Sequence, residues 1–376
     1  MPHRDLVRIL PAMMLIASLA LAAATASAEP PAGYYDDVDT SSEAALRQSL
    51  HDIIDGHMKI PYTSGATDTW DVLERADEDP WNAARILDVY QNRTFTKFGG
   101  GNGPYNREHV WPKSYGFPDD GPSNLPYTDC HHLFLCDVQY NNDRANRLFD
   151  DCDFGCAARP ADSYGGQSGT NYFKDALPVG IWETWIGRRG DVARAMFYMD
   201  VRYEGDTGSE PDLILTDDAA LIAASSSSSN LAVAYMGLLE VLLQWHQDDP
   251  VDDKERARND AVNLYQGNRN PFIDHPEYVA YLYEGVIAGV PAAATAGIAA
   301  VYPNPFNPAT TVAFEVERPG RVELAVHGVD GRCVRTLSAE WRRPGRQEVT
   351  WDGRDDAARR LASGAWFVRL VADDHA

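Results

Sequence analysis

The hydrophobic pattern of this chain changes period once, near residues 286–298, and no single layer of secondary structure accommodates both halves. Upstream, apolar residues recur every three or four positions: Leu46, Leu50, Ile53 and Ile54, then Trp70, Val72 and Leu73, then Ala84, Ile86, Leu87 and Val89. The same spacing returns over 137–149, 191–203 and 236–246, and it predicts core-forming helices. Downstream, Val312, Phe314 and Val316 alternate with polar residues, as do Val322, Leu324 and Val326, Val349 and Trp351, and Trp366, Val368 and Leu370. Asp-Gly, Pro-Gly and Ser-Gly turns separate these runs, so the last part reads as a small β-sandwich. The expectation is an α+β chain: a mainly helical domain over 29–285, a linker over 286–298 and an all-β domain over 299–376.

Charge divides at the same place. The formal charge is −23, from 33 basic and 56 acidic residues, yet the stretch from Val286 onward holds 11 Arg against 11 Asp plus Glu. The whole excess therefore lies upstream, and no global positive field draws this protein to nucleic acid or anionic lipid. Any polyanion must be gripped locally.

Residues 1–28 read as an export signal: Arg4 and Arg8, an apolar run from Met13 to Ala23, and Ala26-Ser27-Ala28 as the cleavage site before Glu29. No later stretch is apolar for long enough to span a bilayer. Export places the cysteines in an oxidising compartment, where Cys130, Cys136, Cys152 and Cys156 are expected to form two disulfides of open connectivity. A zinc site is the competing reading, but zinc knuckles are usually paired C-x2-C, and these spacings differ. Cys333 is left as an odd thiol, expected to be buried or inert. The serines 225–229 are expected to be a surface loop between helices.

Between residues 94 and 129 the texture turns to Gly, Pro, Asn and aromatics, and the polar residues become specific. Arg107-Glu108-His109 sets a cation, a carboxylate and an imidazole side by side. A neutral imidazole can take a proton from water, a carboxylate can hold a hard cation, and a guanidinium can grip phosphate. Strand neighbours face opposite ways, so Glu108 and His109 serve one site only if the strand bulges or ends there. A helix over 137–149 would let Asn141 offer an amide oxygen to a metal, with Arg144 or Ala145 on its face.

Several long segments resemble the bacterial endonuclease I family of secreted nucleases: N-R-E-H-V-W-P-K-S at 106–114, D-C-H-H-L at 129–133, N-N-D-R-A-N at 141–146 and R-G-D-V-A-R-A-M-F-Y-M at 189–199. The resemblance continues through L-L-Q-W-H at 242–246 and ends in Q-G-N-R-N-P-F-I-D-H-P-E at 266–277. It implies a ββα-metal (His-Me) finger in which His109 is the general base and Glu108 and Asn141 hold one divalent ion, Mg²⁺, with Mn²⁺ or Ca²⁺ as substitutes. It implies hydrolysis of DNA, and of RNA, to 5′-phosphate products. Arg107, Arg144 and Arg194 are the candidates for phosphate, with Arg202 behind them. His131 and His132 take a structural or orienting role, and His246 and His275 are expected to be hydrogen-bonding core residues. Cys130 and Cys136 depart from the family pattern, which has apolar residues there.

The tail, with Y-P-N-P-F-N-P at 302–308 and G-R-Q-E-V-T-W-D-G at 345–353, resembles the immunoglobulin-like C-terminal module of secreted bacterial enzymes. That module is related to flagellar hook-cap and type IX secretion sorting domains, which implies contact with secretion machinery or attachment at the cell surface. A monomer is expected. Two other readings are a catalytically silent surface-binding module, which the acid excess keeps open, and a zinc hydrolase built on the histidines and cysteines.

Overall fold

The structure is a computed structural model that describes residues 29–285 and 296–373, apart from 102, 122, 123, 177, 207–209, 317–319, 329–331, 343, 344 and 358. The expected export signal at 1–28 lies outside the described residues, as does the expected linker up to residue 295. Helices and several small sheets alternate up to residue 285, and strands alone follow from 296, a mixed α+β fold.

The first helix, α1 (Glu43–Ile54), starts where the Ser42 side chain accepts from the Ala45 N–H, and it buries Leu46, Leu50 and Ile54 along one stripe. A reciprocal capping box between Asp68 and Asp71 opens α2 (Thr69–Ala76). The helix expected over 137–149 is shorter: α3 (Val138–Arg144), capped by Asp137, stops where Ala145 takes φ 50°. Leu148–Phe149 then becomes a strand, parallel to Ile181–Glu183. Ala84, Ile86 and Leu87, expected on a helix, lie instead in the strand Asn82–Leu87, which pairs with Thr94–Thr96. Their short run fits either period, and the pairing partner decides.

The centre is α4 (Arg189–Arg202), close to the expected 191–203, in which every residue from 190 to 202 is buried. It packs against α1, against α6 (Leu239–Asp248) and against α8 (Pro271–Asp274). Between α4 and α6 lie α5 (Ala219–Ser225) and the parallel strands Asp212–Leu215 and Val233–Met236. Met236, expected to open a helix, closes the second of these strands, and α6 starts three residues later. The serines after α5 form a loop with a helix on one side and a strand on the other. The remaining helices are α7 (Asp253–Gln266) and α9 (Tyr278–Tyr283).

A helix buried all round must neutralise each charge it carries. Arg194 donates through Nε to Glu255 of α7 at 2.8 Å, and Asp200 takes Arg47 of α1 at 2.7 Å. Arg202 meets Asp55 at 2.8 Å and Glu210 at 2.9 Å. These pairs lock α1 and α7 onto α4.

From 296 onward, two antiparallel three-stranded sheets form. One has the order Ala296–Tyr302, Thr310–Val316, Gly345–Trp351, and the other Cys333–Arg342, Gly320–His327, Phe367–Asp373. Val312, Phe314, Val316, Val322 and Leu324 cluster as their shared core, the alternating residues the sequence marks. Cys333 is exposed, against the expectation of burial. No helix among the described residues is long and apolar enough to cross a membrane.

Replacing Glu255 by alanine strands the Arg194 guanidinium in the core. A loss of about 3–5 kcal/mol is expected in urea unfolding, and a loss below about 1 kcal/mol would show that water reaches the pair.

Candidate active site

The strand Tyr105–His109 pairs antiparallel with Leu133–Asp137, from Tyr105 opposite Asp137 to His109 opposite Leu133, and α3 follows directly. Alternation on the second strand sends Leu133 and Leu135 into one apolar cluster and Phe134 and Cys136 into another. The pair is thus buried on both faces. The register is regular, and the strand ends at His109, so Glu108 and His109 become neighbours at a strand terminus rather than at a bulge.

Their side chains have separate surroundings. Glu108 is 2% exposed; its Oε1 accepts from the Tyr90 hydroxyl at 3.0 Å and lies 3.3 Å from Arg144 Nε. Oε2 is the oxygen these contacts leave. Burial pushes the Glu108 carboxyl up to about 7, with Arg144 and Tyr90 pulling the other way. His109 Nε2 lies 2.9 Å from the Tyr127 carbonyl. A carbonyl only accepts, so Nε2 carries the hydrogen and the neutral ring keeps its lone pair on Nδ1. Burial first, and then the His132 ring, depress the His109 pKa well below its ordinary value, so the ring is a neutral base. Tyr62 stacks at 6.0 Å from its centroid and Tyr127 sits edge-on at 5.0 Å.

Asn141, half-buried on α3, donates through Nδ2 to Asn106 Oδ1 at 2.7 Å and to the Arg107 carbonyl at 3.3 Å. These bonds press it against the strand and leave its Oδ1 as the outward donor atom. The oxygens of Glu108 and Asn141 are hard donors on adjoining elements, a set that fits a cation such as Mg²⁺, which keeps several of its waters.

The three phosphate candidates part company. Arg107 lies 3.3 Å above the Tyr62 ring and 4.4 Å from that of Trp70, and it donates to Thr69 Oγ1 at 2.7 Å. Among the described residues no carboxylate lies within ion-pair distance of it. Arg144 is fully buried: besides Glu108 it donates to the His109 carbonyl at 3.2 Å and the Val110 carbonyl at 2.5 Å. It splints the strand end, and its complete burial withdraws it from a substrate. Arg194 belongs to the buried pair with Glu255 and bonds the Asp249 carbonyl at 2.8 Å, away from the strand pair. Arg202 is likewise spent on Asp55 and Glu210.

His131 and His132 are buried, each with a ring nitrogen against a backbone carbonyl. His132 Nε2 lies 2.7 Å from the Pro126 carbonyl and His131 Nε2 lies 3.1 Å from that of Asn268. Between them and Tyr127 sits Asp129, wholly buried, accepting from Tyr198 at 2.8 Å, Tyr203 at 2.9 Å and Gln266 at 2.9 Å. His246 packs in the core against Arg194 at 3.2 Å, and His275 pairs with Glu277 at 3.0 Å.

The cysteines depart from the expected two disulfides. Cys152 and Cys156 are bonded to each other, whereas Cys130 and Cys136 are buried free thiols. Cys130 joins the cluster of Leu133 and Leu135, and strand alternation carries Cys136 to the opposite face. Other residues of this site went unassigned in the sequence. Tyr90 and Tyr62 lie outside the motif, and only the fold delivers them. Lys113 stands within the motif and donates to the Tyr127 hydroxyl at 3.0 Å.

An imidazole at a strand end, a carboxylate beside it and a helix amide against the same strand thus lie on adjoining elements. The endonuclease I family model matches residues 42–277, and the chain belongs to that family; it is a nuclease. It is 43% identical over 258 residues to an extracellular ribonuclease of Bacillus subtilis (strain 168), covering 66% of this chain and 80% of that protein. An extracellular ribonuclease of Bacillus amyloliquefaciens is 42% identical over 248 residues, covering 65% of this chain and 76% of its own length.

Burial works against the charge on Asp129, and the imidazoles of His57, His131 and His132 with the His131 N–H outweigh it, so its carboxyl is held below its ordinary 3.8. A depressed carboxylate stabilises the fold above its unfolded value and loses that contribution as pH falls towards its folded one. Asp129→Asn is therefore expected to lose about 1–3 kcal/mol at pH 7, with the gap to wild type narrowing below pH 3.8 in denaturant titrations. A gap independent of pH would show that Asp129 carries no charge in the folded protein.

Proposed function

We propose that this is an exported, sequence-nonspecific endonuclease that uses His109 as general base and one divalent ion, Mg²⁺, held by Glu108 and Asn141, to hydrolyse RNA and DNA. The observation that carries it is the commitment of His109 Nε2 to the Tyr127 carbonyl at 2.9 Å, which leaves Nδ1 basic on a neutral ring. Nδ1 takes a proton from water, the water oxygen bonds to phosphorus, the bond from phosphorus to the 3′ oxygen breaks, and that oxygen takes a proton from solvent water, giving 5′-phosphate and 3′-hydroxyl ends. The ion supplies charge neutralisation at the phosphate and the departing oxygen. Glu108 and Asn141 hold it through Oε2 and Oδ1, Arg144 fixes the carboxylate, and Arg107 on its aromatic bed grips a phosphate.

The expected export signal and the two extracellular relatives support release from the cell, and the relatives' ribonuclease names support RNA as a substrate. The strand–strand–helix unit 105–144 is the proposed ββα-metal finger. We assign 29–285 to the nuclease domain and the two sets of three strands that begin at Ala296 to an immunoglobulin-like module for secretion or surface attachment, which takes the last three residues of the expected 286–298 linker into its first strand.

His109→Ala is expected to lower cleavage of both a supercoiled plasmid and a structured RNA by about 10²–10⁴-fold, with an unchanged circular dichroism spectrum; chelator should abolish wild-type cleavage and Mg²⁺ restore it. Full activity in the folded variant would refute the mechanism. Arg107→Ala should weaken binding across sequences alike and reduce the slope of log affinity against log salt by about 1, which nitrocellulose-filter binding in Ca²⁺ would reveal.

A further inference from the structure

We propose that the last turn of α1 and the loop after α4 form a second metal site, made by His51, Asp55 and Asp206 for a divalent transition metal of the zinc type. Their ligand atoms all lie within 4.8 Å of one another. His51 and Asp55 are four residues apart, so they share a face of α1, and Asp55 is its C-cap. The carbonyl end of a helix carries partial negative charge that favours a cation.

The imidazole is the informative member. His51 is 1% exposed, and its Nδ1 lies 3.0 Å from the Val201 carbonyl. That carbonyl can only accept, so Nδ1 carries the hydrogen. Nε2 points at Asp206 Oδ2, 3.1 Å away, with no hydrogen bond of acceptable geometry; burial opposes a charge on the ring, and the Val201 carbonyl with Asp206 outweighs it and raises the pKa. In the neutral ring Nε2 presents a lone pair to that carboxylate, and a cation taking the place of the ring proton joins the two groups. A ring nitrogen bonded to a backbone carbonyl, with its other nitrogen free, is the arrangement in which histidine ligates metals.

The surroundings support the same reading. Arg202 Nη1 holds Asp55 Oδ1 at 2.8 Å, which orients the carboxylate and leaves its second oxygen, and Glu210 at 2.9 Å offsets the guanidinium charge. Gly205, at φ +68°, turns the chain just before Asp206, and a Cβ there would come within 2.7 Å of the Asp212 Cβ. One nitrogen and two carboxylate oxygens suit zinc. Tetrahedral ligands stand about 3.5 Å apart for bonds of about 2.0–2.2 Å, and Asp206, whose side chain is 49% exposed, has room to adjust to that spacing. The metal would clip α1 to the end of α4, and none of its ligands belongs to the strand pair that carries His109.

The test is calorimetric titration of chelator-stripped full-length protein with ZnCl₂ at pH 7.5, on wild type, Asp206→Asn, His51→Asn and Asn141→Ala, with thermal unfolding alongside. Expected is one zinc event that Asn141→Ala retains, that both site variants weaken by at least about tenfold, and that raises the unfolding midpoint of wild type and Asn141→Ala but not of the site variants. Asp206→Asn should keep wild-type Mg²⁺-dependent cleavage. Equal zinc affinity in wild type and Asp206→Asn overturns the proposal, as does an event lost in Asn141→Ala alone, which would place zinc at the proposed catalytic pair. Absence of any zinc event overturns it too, and assigns the His51–Asp206 contact to a shared proton.

Discussion

The buried carboxylate of Asp129 holds together what the site needs held. It gathers two tyrosine hydroxyls from the end of the central helix, the amide of Gln266 and the N–H of His131 around one side chain that water does not reach. Its own carbonyl accepts from His132 and Leu133, which starts the second strand. The turn just before it presents the carbonyls of Pro126 and Tyr127 to two imidazoles. The geometry of His109 is thus set from the core outward, from α4 to Asp129 to the turn to the ring. A base whose tautomer is fixed by the backbone needs no mobile partner, because the carbonyl cannot change places with the hydrogen.

Arginine has two uses in this fold, and they divide by burial. A guanidinium offers five donors in a plane, a shape that serves a phosphate or a set of backbone carbonyls equally well. Arg144 spends its donors on the carbonyls of His109, Ala145 and Val110, and Arg194 on Glu255 and the Asp249 carbonyl. Both are structural members that happen to stand in motifs. Arg107 meets aromatic faces and hydroxyls instead, so its charge stays available to a ligand.

That division explains which parts were legible in the sequence. The nearness of Glu108, His109 and Asn141 could be read because the strand and helix that carry them are joined through one short strand pair. Arg144 and Arg194 could not be sorted, since burial decides their role and burial depends on α7 and on a strand end far along the chain. The alternating strands after residue 296 were plain, because each buries one face. The helix expected to continue past Arg144 was not, because apolar Leu148 and Phe149 serve a strand as well as a helix, and Ile181–Glu183 supplies the pairing. Four cysteines within a short span suggested two disulfides, but Cys130, in the turn before the strand, and Cys136, on it, enter different clusters. Tyr62 and Tyr90 carried no local signal at all.

The acid excess that argued against a polyanionic substrate has a local resolution. Up to residue 285, most described cations face a carboxylate within ion-pair distance, and only Arg85, Arg107, Lys113 and Lys174 do not. Arg107 stacks on Tyr62, which faces the His109 ring, and Lys113 bonds the hydroxyl of Tyr127, whose carbonyl holds the same ring. Two of the four uncompensated charges therefore flank the base. A chain that is strongly negative overall repels nucleic acid at every other face, and screening confines that repulsion to about 10 Å at ordinary salt. At His109, Arg107 and Lys113 thus offer an arriving phosphate a local attraction.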